Sequence, residues 1–400
     1  MKKNIIEVSK ERECTGVKYR TLGKTGLQVS ELSLGCEYVW HSDEHTVHSL
    51  VHAALDAGIN YIDIFIGTPA TRDYFGTALK GRHEQVMLAG HLGGAQKDGQ
   101  YVNSRDIVVC KDFIEQFYTR LQTDVIDVLF LHNCDSEEDR KVMFEGPMYE
   151  YAKKLQAAGR VKFIGFSSHN TKVALTAVKS GLIDVLMFPI NPLFNLLPRD
   201  RAHQKLFDIN GEEEVSAEDL EHYPSKEELY AACRKHQIGL IGMKPFAAGN
   251  LLKSHKDGGL KGFLSLTPVQ CISYILAHKE ASSALPGFKN VEELNASLAY
   301  FTASEEEKDF SMIQQSVLYQ FHDRCMYCNH CQPCPKKIDI AAVTECKDLA
   351  ENGMTQALRE RYRKLSANAD DCIACGACTK RCPFGIDVVS NMRRAAELFR

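Results

Sequence analysis

No run of apolar residues in this 400-residue sequence approaches the ~20 that cross a bilayer. The opening stretch MKKNIIEVSKERE also lacks an apolar segment of signal-peptide length. A cytoplasmic protein without a membrane anchor is therefore expected. Nor does charge of either sign dominate: 48 Lys and Arg stand against 52 Asp and Glu, a net charge of −4. That balance offers no basic face for nucleic acid. Apolar residues at 44% and charged residues at 25% are ordinary for a folded soluble chain. A flavin fingerprint is missing as well.

Cysteine is what the sequence has in excess, with 15 residues. In a cytoplasmic chain, where disulfides are disfavoured, clustered cysteines point to metal or to catalysis. Six of them (Cys14, Cys36, Cys110, Cys134, Cys233, Cys271) are scattered, whereas nine fall between Cys325 and Cys382. This uneven distribution divides the chain into residues 1–303 and 304–400. The first cysteine group reads Cys325-Met-Tyr-Cys328-Asn-His-Cys331-Gln-Pro-Cys334-Pro335. The second reads Cys372-Ile-Ala-Cys375-Gly-Ala-Cys378-Thr-Lys-Arg-Cys382-Pro383 and matches the bacterial ferredoxin run. The first departs from it by one residue, since only two residues separate Cys331 from Cys334. Two-residue gaps let one tight loop present three thiolates to three corners of a cubane, and the Cys-Pro end carries the fourth ligand to the other cluster. The expected ligand sets are therefore Cys325, Cys328, Cys331 and Cys382 for one 4Fe-4S cluster, and Cys372, Cys375, Cys378 and Cys334 for the other. Two all-thiolate zinc sites are the alternative, but they favour well-separated pairs over two closely spaced foursomes. The stretch between the groups, VTECKDLAENGMTQALRERYRKL, has helical character, so the region resembles the α-helical ferredoxin domains of respiratory reductases. Cys346 lies within it, off the loop spacing, and is read as a core residue.

From Val17 the chain shows a turn, Gly23-Lys24-Thr25-Gly26, between two short alternating runs, which predicts a β-hairpin. Eight short apolar runs follow: LSLG, NYIDIF, VMLAG, IDVLFLH, VKFIGFS, DVLMFPI, IGLIGMK and SSALPG. Longer stretches with apolar residues at helical spacing separate them. Such alternation predicts an α/β fold, a (β/α)8 TIM barrel with an N-terminal hairpin, over an open doubly wound sheet. A polar insertion from Pro192 to Pro224 would emerge at the C-terminal face as a substrate lid or a solvated loop.

The segments YRTLGKTGLQVS, AGINYIDIF, VIDVLFLH and IGFSSH together resemble the aldo-keto reductase superfamily, and the cysteine module resembles the one fused to an iron-sulfur branch of it. The resemblance implies carbonyl reduction with NADPH and a catalytic Asp, Tyr, Lys and His. Asp63 and His132 stand at two of those positions. The tyrosine position holds Thr68, while Tyr74 falls on the following helix, and the lysine position holds His91. A threonine hydroxyl is too weak an acid to protonate a carbonyl near neutral pH, but a histidine can exchange protons there. His91, held by Asp63, and His132 across the cavity are thus the expected acid/base pair. The NADP(H) positions are altered too, with Met187 and Ala296-Ser297 where the family has Gln and Glu-Asn. Ser168, beside Ser167, and Lys289 remain as candidate contacts to a carboxamide and a 2′-phosphate.

Two functions follow. In the first, two 4Fe-4S clusters, served by a ferredoxin or other redox partner, exchange electrons with a small carbonyl or activated-alkene substrate at the barrel mouth. In the second, the histidine pair performs a redox-neutral elimination, dehydration or isomerisation, and the clusters serve structure or partner docking. An electron-transfer adaptor with no chemistry of its own ranks behind both. Cys36 and Cys134 should lie near the mouth, where buried free cysteines are ordinarily inert.

Overall fold

The computed structural model describes residues 16–65, 68–97, 100–196, 224–253, 265–312, 325, 331–382 and 386–400. Strands β1 (Tyr19–Thr21) and β2 (Gln28–Ser30) form the expected hairpin. Five strands then enter before the middle of the barrel: β3 (Leu34–Gly35), β4 (Tyr61–Asp63), β5 (Met87–Leu92), β6 (Gly94–Lys97) and β7 (Gln100–Asn103). The remaining strands are β8 (Ile126–Leu131), β9 (Val161–Ser167), β10 (Val185–Pro189), β11 (Gly239–Met243) and β12 (Ala281–Leu285). Strands β3, β4, β5, β8, β9, β10, β11 and β12 lie side by side and parallel, and are the eight that the sequence predicts. The sheet closes on itself through Ser33 N to Ala284 O at 2.9 Å, Gly35 N to Pro286 O at 2.8 Å and Ala284 N to Glu31 O at 2.8 Å. Closure excludes the open doubly wound sheet.

The barrel helices are α1 (Glu44–Asp56), α2 (Pro69–Ala78), α3 (Ile107–Leu121), α4 (Glu137–Glu145), α5 (Pro147–Ala157), α6 (Thr171–Lys179), α7 (Pro192–Leu196), α8 (Lys226–Lys235), α9 (Pro268–Ala277) and α10 (Val291–Leu298). Local sequence sets where they start. Asp43 caps α1 by accepting from Thr46 N, and Thr267 with Gln270 forms a reciprocal capping box ahead of Pro268. The buried face of α1 is Val47, Leu50, Val51, Ala54 and Leu55, at the three- and four-residue spacing of one helix side. Of the Pro192–Pro224 insertion, residues 197–223 lie outside the described residues.

Inside the barrel, Tyr61, Met87, Val128, Phe130, Val185, Met187, Ile241 and Leu285 pack with Leu22 and Val29 of the N-terminal hairpin. The hairpin thus plugs the N-terminal end, and ligands can reach the interior only from the C-terminal face. Its docking depends on Gly23, at φ 53°. A Cβ there would lie 2.3 Å from Gly239 N and 2.4 Å from Gln237 O.

One element was not anticipated from the sequence. β6 and β7 form an antiparallel hairpin inserted directly after β5, with Gln96 opposite Tyr101. Beyond the barrel come α11 (Glu305–Lys308), α12 (Ile340–Asn352), α13 (Gln356–Arg363), α14 (Ala377–Arg381) and α15 (Val388–Phe399). The stretch between the cysteine groups is therefore helical, as expected, and Cys346 is fully buried within α12. Among the described residues no helix is long and apolar enough to cross a membrane.

Replacing Gly23 with Ala combines a left-handed backbone with a clash against backbone atoms, and should cost about 2 kcal/mol or more. Thermal unfolding checks this. An unchanged melting temperature would mean that the hairpin is not held against β11 as described.

Candidate active site

At the C-terminal mouth, adjacent strands β4, β5 and β8 bring together residues far apart in sequence. Asp63 ends β4, His91 stands two residues beyond the β5 residue paired with Asp63, and His132 follows the end of β8. Asp63 Oδ1 lies 2.7 Å from His91 Nε2, and His91 Nδ1 lies 2.9 Å from His132 Nδ1. The two histidines are neighbours in direct contact, not partners facing each other across a cavity, because β5 and β8 are adjacent in the sheet. His132 Nε2 in turn lies 2.5 Å from the hydroxyl of Tyr101, which also contacts the Asn103 side chain. All four are buried, with Asp63 at 5% and Tyr101 at 1% exposure. Phe65 covers the group, its ring centroid 4.9 Å from that of His132 and 5.3 Å from that of Tyr101.

Donor and acceptor inventory orders this chain. The Asp63 carboxylate only accepts, so His91 donates from Nε2 and, when neutral, accepts at Nδ1. His132 then donates from Nδ1, which leaves its Nε2 to accept the single Tyr101 proton, for which Asn103 Oδ1 competes. A proton can pass along the chain in either direction without any residue moving far.

Tyr101 was not found from the sequence, because it lies in the inserted hairpin 31 residues from its partner His132. The Asp98-Gly99 pair, flanked by short alternating runs, was the available signal for the hairpin. Arg105 anchors the hairpin base to β8. It pairs with both oxygens of Asp139 at 2.6 Å and reaches the carbonyls of His132 and Asn133 at 3.0 Å. Burial, the largest single influence, would lower the guanidinium pKa, but the hydrogen bond to Asp139 together with the surrounding charge interactions outweighs it, and the group is held above its ordinary value. Thr68, where the family has tyrosine, caps α2 by accepting from Thr71 N at 3.1 Å, and Tyr74 lies on that helix.

The chain borders a cleft of about 840 Å3, part of it open to solvent. Asp63, His91, His132, Ser167, His169 and Lys244 line it, along with Cys36 and Met187. His169 is backed by Asp135, which accepts from its ring Nδ1 at 2.9 Å and from its backbone N–H at 2.6 Å. Burial raises the Asp135 pKa, yet the charge of His169 and hydrogen bonds from His169 and Ser168 overcome it and leave the carboxyl below its ordinary value. Burial pushes the Cys36 thiol up and Asp63 adds to the effect, while burial dominates the rise at Cys134; both thiols stay protonated.

The positions that the resemblance assigns to NADP(H) are not assembled. Ser168 is fully buried and donates to Asp135 at 3.1 Å, so that Ser167, not Ser168, faces the cleft. Lys289 is exposed, its ammonium 5.7 Å over the ring of Tyr38. Ser297 is buried and bonds to the carbonyl of Glu293.

In the C-terminal region, Cys334, Cys372, Cys375 and Cys378 line a shallow hollow whose other walls include Ile338, Ile340 and Met392. Left-handed Ala374 (φ 52°) and Gly376 (φ 73°) curl the loop, and the Ala374 N–H donates to Cys372 Sγ at 3.4 Å. Among the described residues no group of three or more His, Cys, Asp or Glu converges tightly enough for a single metal ion. Thiolates spread around an apolar hollow, with a backbone N–H on sulfur, are a donor set that fits an iron-sulfur cubane. Of the other four cysteines, Cys331 and Cys382 are buried and Cys325 is partly buried, and Arg381 Nη2 donates to the Cys331 carbonyl at 2.9 Å. Cys328 lies outside the described residues.

A closed barrel with an Asp/His-lined cleft at its C-terminal mouth is the layout of an oxidoreductase of the aldo/keto type. The aldo/keto reductase family matches residues 31–270, and a 4Fe-4S binding domain matches residues 366–386. The chain belongs to the aldo/keto reductase family and carries a 4Fe-4S domain at its C-terminal end. It is 24% identical over 341 residues to the uncharacterized oxidoreductase YqkF of Bacillus subtilis, covering 76% of this chain and 99% of the relative. It is 25% identical over 319 residues to L-galactose dehydrogenase of Arabidopsis thaliana, covering 73% and 90%. The solved structure of aldo-keto reductase AKR11C1 from Bacillus halodurans shares the fold, with a TM-score of 0.56 at 23% identity over 74% of this chain and 95% of that one.

Asp135 gives a pH test. A carboxyl whose folded pKa lies below its unfolded value stabilises the fold above the unfolded value and loses that contribution as pH falls through the folded one. Asp135→Asn should therefore be less stable than wild type at pH 7, and the gap should shrink below about pH 4. Urea midpoints at pH 7 and pH 3 measure it, and a gap that widens on acidification would contradict the assignment.

Proposed function

We propose that the protein is an iron-sulfur oxidoreductase that reduces a small carbonyl or activated alkene in the barrel cleft. Its cofactors are two 4Fe-4S clusters, one held by Cys334, Cys372, Cys375 and Cys378 and the other by Cys325, Cys328, Cys331 and Cys382. The observation that carries the reading is the buried chain Asp63–His91–His132–Tyr101, opening on the cleft, in the same molecule as the thiol-lined hollow. When bound, the clusters supply single electrons at low potential. A ferredoxin or similar one-electron donor is the fitting partner.

The barrel residues supply the proton. His132 is the member of the chain that lines the cleft and is also bonded to Tyr101. The Tyr101 proton passes through His132 Nε2 to a substrate oxygen, and the phenolate is reprotonated by the same route when product leaves. The second proton of the two-electron reduction reaches the substrate carbon from solvent through the open part of the cleft. Asp63, acting through His91, stabilises the imidazolium that forms when the Tyr101 proton moves to His132. Phe65 excludes water from the group, which strengthens each of these bonds. NADP(H) has no part in this reading, since Ser168 donates to Asp135 instead of facing the cleft. The redox-neutral reading has one observation of its own: the His169–Asp135 pair gives the cleft a second base, and two bases on one cleft suit an elimination.

The test begins with anaerobic purification and reduction by dithionite, followed by addition of aldehydes, ketones and enones while cluster oxidation is recorded. Roughly eight irons per chain and substrate-driven reoxidation are expected. His132→Ala and Tyr101→Phe should slow reoxidation 10²- to 10⁴-fold at unchanged iron content, the usual worth of a positioned acid. Turnover with the clusters held oxidised would overturn the reading in favour of the redox-neutral one. Bleaching of the clusters by NADPH would show that the nicotinamide site has been misjudged.

A further inference from the structure

Gln100 makes a contact that the chemistry above does not use. Its side-chain amide spans the gap between barrel and C-terminal region: Nε2 donates to the Cys334 carbonyl at 3.0 Å, and Oε1 accepts from the Cys334 N–H at 2.8 Å. The two residues are 234 apart in sequence. Because a backbone N–H can only donate and a carbonyl can only accept, the orientation of the amide is fixed. Gln100 thus satisfies both backbone polar groups of a cluster-lining cysteine from outside that domain.

The next residue in β7 is Tyr101. Side chains alternate along a strand, so Gln100 turns outward to Cys334 while Tyr101 turns inward to His132. A two-residue step therefore connects a cysteine of the thiol-lined hollow to the end of the proton chain. Arg105 fixes the base of the same hairpin, and Gln100 ties its other end to Cys334. Hydrogen bonding around the ligand sulfurs is one of the terms that set a cluster's potential.

We propose that Gln100 is a positioning residue that couples the Cys334 cluster site to Tyr101 and His132. It keeps the Cys334 N–H turned away from the cluster and holds β7 in register over His132. The inference rests on the assignment of Cys334 as a cluster ligand, but not on the substrate.

The experiment uses the full-length holoprotein with Gln100→Leu, which removes donor and acceptor at similar size, and Gln100→Asn, which keeps a neutral amide one methylene shorter. The control is Lys253→Met, which removes another contact between the regions, the 3.1 Å ion pair with Glu345, without touching Cys334. Potentials are read by dye-mediated titration with electron paramagnetic resonance, and mobility by hydrogen exchange of residues 94–103. Gln100→Leu should move one of the two midpoint potentials by about tenfold in the oxidised-to-reduced ratio, ~59 mV for a one-electron couple, and leave the other in place. Exchange in the hairpin should rise several-fold. Gln100→Asn should shift the potential less than Gln100→Leu, and Lys253→Met should leave both potentials alone. Wild-type potentials and exchange in Gln100→Leu would overturn the proposal, as would an equal potential shift in Lys253→Met. If Gln100→Leu fails to hold iron, the Gln100→Asn comparison decides alone, wild-type potentials and exchange overturning the proposal. None of these readings needs a substrate, so they can fail while the oxidoreductase reading stands, and the reverse.

Discussion

The Asp63 carboxylate can only accept hydrogen bonds, and the arrangement of the barrel mouth follows from that constraint. Its acceptance from His91 Nε2 at 2.7 Å fixes the neutral His91 tautomer, which fixes the direction of the 2.9 Å bond to His132, which presents Nε2 to Tyr101. A single buried charge thus orders four residues from three adjacent strands and one inserted hairpin. Buried polar groups are costly unless every partner is present, so the supporting contacts matter as much as the chain. Arg105 clamps the hairpin base to the carbonyls of His132 and Asn133. Gly93, at φ 108°, makes room for it, since a Cβ there would meet the Arg105 guanidinium at 2.7 Å.

This organisation redistributes the roles that the aldo/keto reductase resemblance assigns. The aspartate keeps its place at the end of the second barrel strand. The tyrosine position has become a helix cap, Thr68, and the lysine position has become His91. A lysine would bring a positive charge next to the tyrosine. A histidine instead links Asp63 to His132, and a phenol returns from a different direction, on β7. The same hairpin carries Gln100, and with it the contact to Cys334, so the insertion that supplies the hydroxyl also joins the barrel to the cysteine region.

Periodicity made the barrel legible in the sequence: eight apolar runs separated by helical patterns could bury both strand faces in few other ways. Spacing pointed likewise to the 4Fe-4S domain that matches residues 366–386, and Cys334 lines one hollow with Cys372, Cys375 and Cys378. Single-residue choices at strand ends were harder. Ser167 and Ser168 look equivalent in sequence, yet successive side chains point to opposite sides, and only Ser167 faces the cleft. The contact between His91 and His132 depended on β5 and β8 being neighbours despite the hairpin between them. Tyr101 was out of reach of motif reasoning, because its role comes from where an insertion folds back.

The most direct measurement is the protonation of the two ring nitrogens of His91 and His132 at neutral pH. It can be read by magnetic resonance of protein carrying isotope-labelled histidine, with His91→Gln and His132→Gln variants to assign the signals. The account predicts a proton on Nε2 of His91 with a bare Nδ1, and a proton on Nδ1 of His132. A His91 protonated on Nδ1, or a His132 bare at Nδ1, would show that the chain does not run from Asp63 to Tyr101.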